Sequence, residues 1–238
     1  MPVSSASEFD ASVVIPARNE AGYIRGALAS VAAQSWPLQR LECIVVDNGS
    51  IDSTADVVRS WTAAHRLPVV QLLREEVAGT ARAKNRGARA ARGSVLIFLD
   101  ADSRMAPDLV ERILARVRLG YPAGSITVIA DSDDWIDQAF FGLIEFGKRL
   151  FHIHAQMLYC ARDLFLEVGG FQEDLRLAED RDLLVRLERR KVPVCHVTDS
   201  WIATSPRRLH ALPLRLGVLT TFVRWALAHG GIGRRWRY

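Results

Sequence analysis

The chain has 238 residues, 49% of them hydrophobic and 24% charged, which places it among ordinary globular proteins and excludes a disordered or fibrous chain. That length can bury one sizeable core or two unequal ones. The formal charge is only +4, and Arg207, Arg208, Arg215, Arg224, Arg234, Arg235 and Arg237 place much of the positive balance late in the chain, so it reads as a local feature.

The opening stretch from Met1 to Asp10 has neither a basic start nor an apolar run, so no secretory leader is read there and a cytoplasmic location is expected. Ala11 to Ile15 reads as a first strand, which Pro16 ends because proline cannot donate to a ladder. Asn19 is placed to cap the helix that follows. Leu41 to Asp47 is a second buried strand, and Asn48-Gly49-Ser50 after it is a turn whose glycine tolerates positive φ. Asp52 or Ser53 then caps a helix running to about Ala64.

Pro68 to Leu73 reads as a third strand, and Thr80 to Arg92 as a third helix with a strongly basic exposed face. Ser94 to Asp100 is the most apolar strand and is expected at the sheet centre. After Pro107, Leu109, Val110, Ile113, Leu114 and Val117 fall at amphipathic helical spacing, and Ser125 to Ala130 reads as a further strand. Strands alternating with helices predict an α/β, doubly wound, mainly parallel sheet.

Beyond Asp131 the pattern loosens into a helix over Trp135 to Phe151, a short run Met157 to Cys160, a Gly169-Gly170-Phe171 turn and a helix from about Asp180 to Arg190. With no internal repeat or low-complexity linker, residues 1–238 read as a single domain. The last stretch, 209–238, combines Leu212, Leu214, Leu216, Leu219, Phe222, Trp225 and Leu227 with arginines. Arg215 and Arg224 interrupt it, so it reads as a basic amphipathic tail and not as a membrane span. A packed helix, a homodimer contact and a peripheral membrane contact all suit that composition. Cys43, Cys160 and Cys195 are widely separated and form no zinc or redox motif, so they read as buried thiols.

In an open parallel sheet the carboxyl ends of the strands face one crevice, so polar residues just after strands are the first suspects for a site. Here these are Arg18, Asn19 and Glu20 after the first strand, Asp47 at the end of the second, and Asp100 and Asp102 at the end of the fourth. Asp47 serves equally as a turn cap. Asp100-Ala101-Asp102 offers two hard carboxylates to Mg2+ or Mn2+, or else caps a helix and turn beginning near Ser103.

Four segments, Val14-Ile15-Pro16-Ala17-Arg18-Asn19-Glu20, Val46 to Thr54, Ala83-Lys84-Asn85-Arg86-Gly87 and Phe98 to Asp102, together resemble glycosyltransferase family 2 in order and spacing. The likeness resumes at Gly169-Gly170-Phe171 and Ala178-Glu179-Asp180. It implies a GT-A fold with a helical C-terminal extension, in which about 11–130 binds a nucleoside diphosphate sugar and about 131–208 supplies the base and acceptor contacts. By that resemblance Pro16, Ala17, Arg18 and Glu20 line the nucleotide pocket and Asp47 accepts from the base. Ala101 lies between Asp102, the principal metal ligand, and Asp100, which contacts the ribose or the metal shell. Lys84 stands where many relatives have arginine and is expected to reach the nucleotide or its phosphates.

The resemblance also makes Asp180 the base that deprotonates an acceptor hydroxyl, with inversion. Without the other motifs, Glu179-Asp180 would read as a helix cap. Thr204-Ser205-Pro206-Arg207-Arg208 resembles a Ser-x-Arg-Arg stretch that closes over the diphosphate. The processive Gln-x-x-Arg-Trp motif is missing, because Thr221 stands three residues before Arg224, so transfer of single sugars is favoured. The expected acceptor is a sugar, a lipid-linked molecule or another small molecule, and no nucleic-acid partner is expected. A third metal ligand is sought in His196 or His210, although each reads better as structural. The competing readings are a sugar-nucleotide nucleotidyltransferase, weakened by the absence of a glycine-rich loop after Ile15, and a non-catalytic binding protein.

Overall fold

The computed structural model describes residues 8–65, 68–150, 156–175 and 178–210. The first strand, β1 (Phe9–Ala17), is buried on both faces. Helix α1 (Ile24–Ala32), strand β2 (Leu41–Asp47), helix α2 (Thr54–Ala64), strand β3 (Val69–Arg74), helix α3 (Thr80–Ala90) and strand β4 (Gly93–Phe98) follow in alternation. A short strand β5 (Ser103–Met105), helix α4 (Leu109–Arg118), strand β6 (Ala123–Ala130) and helix α5 (Trp135–Leu150) come next. The remaining elements are β7 (Leu158–Ala161), α6 (Arg162–Glu167), α7 (Glu179–Arg189), β8 (Val194–Thr204) and a single turn of helix, α8 (Arg207–His210).

One eight-stranded sheet runs β3-β2-β1-β4-β7-β6-β8-β5, with β4 near its centre. The pairs β1–β2, β1–β4, β2–β3 and β6–β8 are parallel. Strand β7 enters antiparallel between β4 and β6, and β5 closes the edge antiparallel to β8. The period of two along each strand divides the core. Val13, Ile15, Cys43, Val45, Val95 and Ile97 point to the face covered by α1, α2 and α4, where Leu28, Val58 and Leu109 are buried. Val14, Ile44, Val46, Leu96 and Phe98 point to the other face, against Ala83 and Ala88 of α3, Phe165 of α6 and Leu183, Leu184 and Leu187 of α7. The sheet is thus doubly wound and mostly parallel.

Two local expectations are corrected. Asn19 does not cap α1, which starts after Tyr23 without a side-chain cap. Its backbone is left-handed at φ 57 and its Oδ1 accepts from the Ile51 amide, so the side chain ties the β1 loop to the β2 loop. Nor does Asp102 cap a helix: the chain goes straight into β5, where Ser103 pairs with Thr204. Pairing across the sheet edge outweighs the local preference of Asp and Ser for a helix start. At α2, Ser53 occupies the cap position without a side-chain bond, while Asp52 Oδ1 accepts from the Thr54 amide at 3.0 Å.

Among the described residues no helix is long and apolar enough to cross a membrane. Of the amphipathic tail expected over 209–238, residues 211–238 lie outside the described residues, as do His152 and His154.

Candidate active site

The loops that leave the carboxyl ends of β1, β2 and β4 lie side by side at one edge of the sheet. Parallel register sets Ala17 beside Asp47 and Val14 beside Phe98, and the Leu99 amide continues the ladder to the Val14 carbonyl. The β1 loop is held on the β2 loop by side chains. Ser50 Oγ accepts from the Asn19 amide at 3.0 Å, Thr54 Oγ1 from Glu20 at 2.8 Å and Asp52 Oδ2 from Ala21 at 3.1 Å. Pro16 is half-buried, Ala17 buried and Arg18 exposed on this rim.

Asp47 is 7% exposed and its Oδ1 accepts from the Ser50 amide at 3.1 Å, so it braces its own turn at the carboxyl end of β2. Asn48 next to it donates to the carbonyls of Glu75 and Val77 and accepts from the Gly79 amide at 2.7 Å. That fixes the segment entering α3. Sequence reading had seen Asn48 only as a turn residue.

Asp102 is placed by β5. Its carbonyl accepts from the Ser205 amide at 3.1 Å, and the Ser103 hydroxyl donates to Thr204 Oγ1 at 2.8 Å, which fastens the end of β8 beside the Asp100-Ala101-Asp102 loop. The turn after β8 then delivers Arg207. Its guanidinium donates to both oxygens of Glu20, lies 2.9 Å from Asp102 Oδ2, and rests over the Tyr23 ring at 4.6 Å. The resemblance of residues 204–208 to a Ser-x-Arg-Arg stretch singles out Arg207, but its two carboxylate partners depend on β5–β8 pairing.

Can this loop take a divalent cation? Asp100 and Asp102 supply two hard oxygen donors, and Asp102 already holds a cationic side chain. Among the described residues no group of three or more His, Cys, Asp or Glu is placed to hold a metal ion. One or two carboxylates with the remaining positions left to phosphate oxygens and water is the usual Mg2+ arrangement, so the donor set fits a cation that arrives with a diphosphate. Neither histidine completes it. His196 faces Ser125, Thr127 and Glu145, and His210 Nε2 lies 3.0 Å from Asp137 Oδ1.

The Glu179-Asp180 pair opens α7 directly after Ala178, a non-glycine residue in the left-handed region at φ 59. Lys84 of α3 reaches across to it. Its ammonium lies 2.9 Å from Glu179 Oε1 and 2.8 Å from Asp180 Oδ1, and 5.2 Å from the centre of the Phe171 ring. The side chain is only 4% exposed. Lys84, expected to reach the nucleotide, is thus ion-paired with Glu179 and Asp180 in this structure. Arg86, Arg89 and Arg92 of the same basic run are exposed.

Burial is the strongest influence on Asp180 and pushes its carboxyl up, to about 6, against the pull of Lys84; Glu179 and Asp100 push in the same direction as burial. Burial opposes the Lys84 charge, but Asp180, Glu179 and Asp100 together outweigh it and raise its pKa. Asp180 and Asp100, far apart in sequence, thus share one electrostatic neighbourhood.

Residues 12–164 match the family model described as Glycosyl transferase family 2. Validoxylamine A glucosyltransferase from Streptomyces hygroscopicus subsp. jinggangensis is 29% identical over 235 residues, which cover 82% of this chain and 55% of that protein. Glycosyltransferase AglE from Haloferax volcanii is 37% identical over 101 residues, 42% of this chain and 33% of that one. The chain thus spans about half the length of the first relative and a third of the second.

Among solved structures, S. aureus TarS in complex with UDP superposes with a TM-score of 0.67 at 20% identity, over 83% of this chain and 61% of that one. The mannosyltransferase PcManGT from Pyrobaculum calidifontis, in complex with GDP-Man and Mn2+, gives 0.69 at 22% identity, over 94% and 68%. Both share the fold.

Proposed function

The chain belongs to glycosyl transferase family 2, and from that premise we propose that it transfers one sugar from a nucleoside diphosphate sugar to an acceptor hydroxyl, with inversion. The observation that carries this reading is that Lys84 of α3, a helix packed on β1 and β2, lies 2.8 Å from Asp180 Oδ1, so the start of α7 is held beside the donor half although the two are far apart in sequence. A base and a leaving-group site must lie on either side of one reacting carbon, and this arrangement supports that.

In the proposed mechanism Pro16, Ala17, Arg18 and Asp47 form the rim for the nucleotide, with Glu20 beside them holding Arg207. Mg2+ or Mn2+, held by Asp102 and Asp100, would neutralise charge on the departing diphosphate. Arg207 supplies a planar fork suited to phosphate oxygens once it turns from the carboxylates. Asp180 accepts the proton of the acceptor hydroxyl as the new glycosidic bond forms and the bond to the diphosphate breaks.

PcManGT is described with GDP-Man and Mn2+, and TarS with UDP, which supports a nucleotide-sugar donor and a divalent ion here without choosing the base or the sugar. The proposed acceptor is a sugar, a lipid-linked molecule or another small molecule, and residues 209–238 are proposed to contact a membrane surface or a second copy of the chain. A thermal-shift screen of UDP-, GDP- and dTDP-sugars with manganese or magnesium tests the reading, since a ligand that binds the native state raises its stability. One nucleotide sugar that raises the melting temperature only with the metal supports it. A flat response to all of them, with and without metal, counts against it.

A further inference from the structure

Helix α3 carries two neighbouring polar residues that are almost fully buried, Lys84 at 3% and Asn85 at 4% exposure, and both point at the segment that leads into Asp180. Asn85 grips the backbone. Its Nδ2 donates to the Phe171 carbonyl at 2.9 Å and to Glu173 Oε1 at 3.1 Å, and its Oδ1 accepts from the Phe171 amide at 2.9 Å. The approach is close enough that a Cβ on Gly170, which has φ 67, would meet Asn85 Oδ1. Lys84 grips the carboxylates of Glu179 and Asp180, and Phe171, held by Asn85, lends its ring face to the same ammonium.

The helix itself is pinned to the donor half. Gly87 lets α3 settle against Val14 of β1 and Val46 of β2, the strands whose ends carry Pro16, Ala17 and Asp47. A lysine that served donor phosphates would have to leave two carboxylates, each within 3 Å, and a nearly closed pocket.

We propose that Lys84 is a positioning residue for the transfer step: shared between Glu179 and Asp180, it keeps the Asp180 carboxylate charged and aimed, and with Asn85 ties that carboxylate to the donor-binding half. The proposal rests on the reading of Asp180 as base. A carboxylate buried beside Glu179 would otherwise take up a proton and lose its use as a base. The charged groups facing Asp180 are Lys84 from α3, Glu179 from its own helix and Asp100 from the loop after β4.

The test follows the Asp180 carboxyl carbon by 13C NMR in the full chain labelled at aspartate, with the signal assigned by its absence in Asp180→Asn. Lys84→Met raises the titration midpoint by about 1 to 3 pH units, the effect of losing an opposite charge at contact distance. Lys84→Arg, which keeps the charge, holds the midpoint within about half a unit of wild type. A Lys84→Met chain with native circular dichroism and an unmoved midpoint overturns the proposal.

If Lys84→Met does not fold, Lys84→Gln decides. It keeps a polar side chain while removing the charge, and a midpoint that stays at the wild-type value overturns the proposal. The titration needs neither donor nor acceptor, so it is separable from the base assignment. Full turnover by Asp180→Asn would remove the base and leave the ion pair as measured.

Discussion

Arg207 Nη2 lies 2.9 Å from Asp102 Oδ2 while the same guanidinium forks onto Glu20. The carboxylate assigned to the metal therefore already has a cationic partner, supplied by the turn after β8. A divalent ion and this arginine compete for one oxygen, and the incoming diphosphate offers the arginine a new acceptor.

The first prediction concerns that competition. Arg207→Gln binds Mn2+ about threefold to tenfold more tightly without nucleotide at low salt, because a neighbouring positive charge is gone and its contact is partly exposed. Transfer by the same variant slows, since the fork on the diphosphate is lost. Free Mn2+ measured by electron paramagnetic resonance reads the first effect; equal or weaker affinity in the variant would contradict it.

Asp180→Asn keeps the side-chain shape and removes the base. Transfer falls by about 10²- to 10⁴-fold, the usual range for a lost general base. Metal-dependent stabilisation by the nucleotide sugar persists, because the donor residues are untouched. Single-turnover kinetics and thermal shift on the same preparation separate the two.

The raised Asp180 pKa, about 6, sets a pH dependence. The base works only when ionised, so kcat/KM climbs as pH rises through about 6 and is lost below it. Stability runs the other way. A carboxyl with a folded-state pKa above its unfolded value favours the fold most when protonated, so this contribution is complete below the ordinary aspartate range and is lost as pH rises through 6. A pH–rate profile whose acid limb falls at the ordinary aspartate value, near 4, would contradict the assignment.

Much of this site was legible because its residues sit where apolar strands stop. Asp47, Asp100 and Asp102 each end a buried run, and a parallel sheet brings such ends together. The partners of those residues were less visible. Lys84 looks like one of several cations on a basic helix, and only the packing of Leu183, Leu184 and Leu187 brings α7 under it. Asp102 read as readily as a helix cap, because nothing near Ser103 announces that its partner strand lies at Thr204. Asn19 had the right type for a cap and went instead to the neighbouring loop. Local preference identified the residues, whereas long-range pairing assigned their partners.

At the opposite end of the sheet, Glu42 is buried at 2% exposure. Ser12 Oγ donates to it at 2.6 Å, the Gly93 amide at 3.1 Å, and Arg92 through its backbone amide and its Nε. Glu42→Leu leaves the Ser12 hydroxyl and the Arg92 amide without this acceptor, while the Gly93 amide keeps Ser12 Oγ at 2.9 Å, and costs about 1 to 3 kcal/mol. It lies among the starts of β1, β2 and β4, away from their carboxyl ends, so donor affinity of the folded fraction is unchanged. Urea unfolding and nucleotide-sugar titration check the two halves of this statement.

Gly87 offers the sharpest test of whether α3 transmits packing to the base. A Cβ there would overlap Val14 Cγ1 and crowd Val46 Cγ2 at 3.2 Å, so Gly87→Ala forces α3 off the sheet and costs about 1 to 3 kcal/mol of stability. Lys84 and Asn85 lie on the same helix within one turn and move with it. Turnover therefore falls by more than nucleotide affinity does. Trimming Val14 to Ala makes room for the new methyl, so the double variant recovers stability that either single change would not predict, a coupling expected of residues in contact. Strictly additive losses in urea unfolding would show that α3 does not rest on β1 through this contact. A recovered fold without recovered turnover would show that the base is held by something other than the position of this helix.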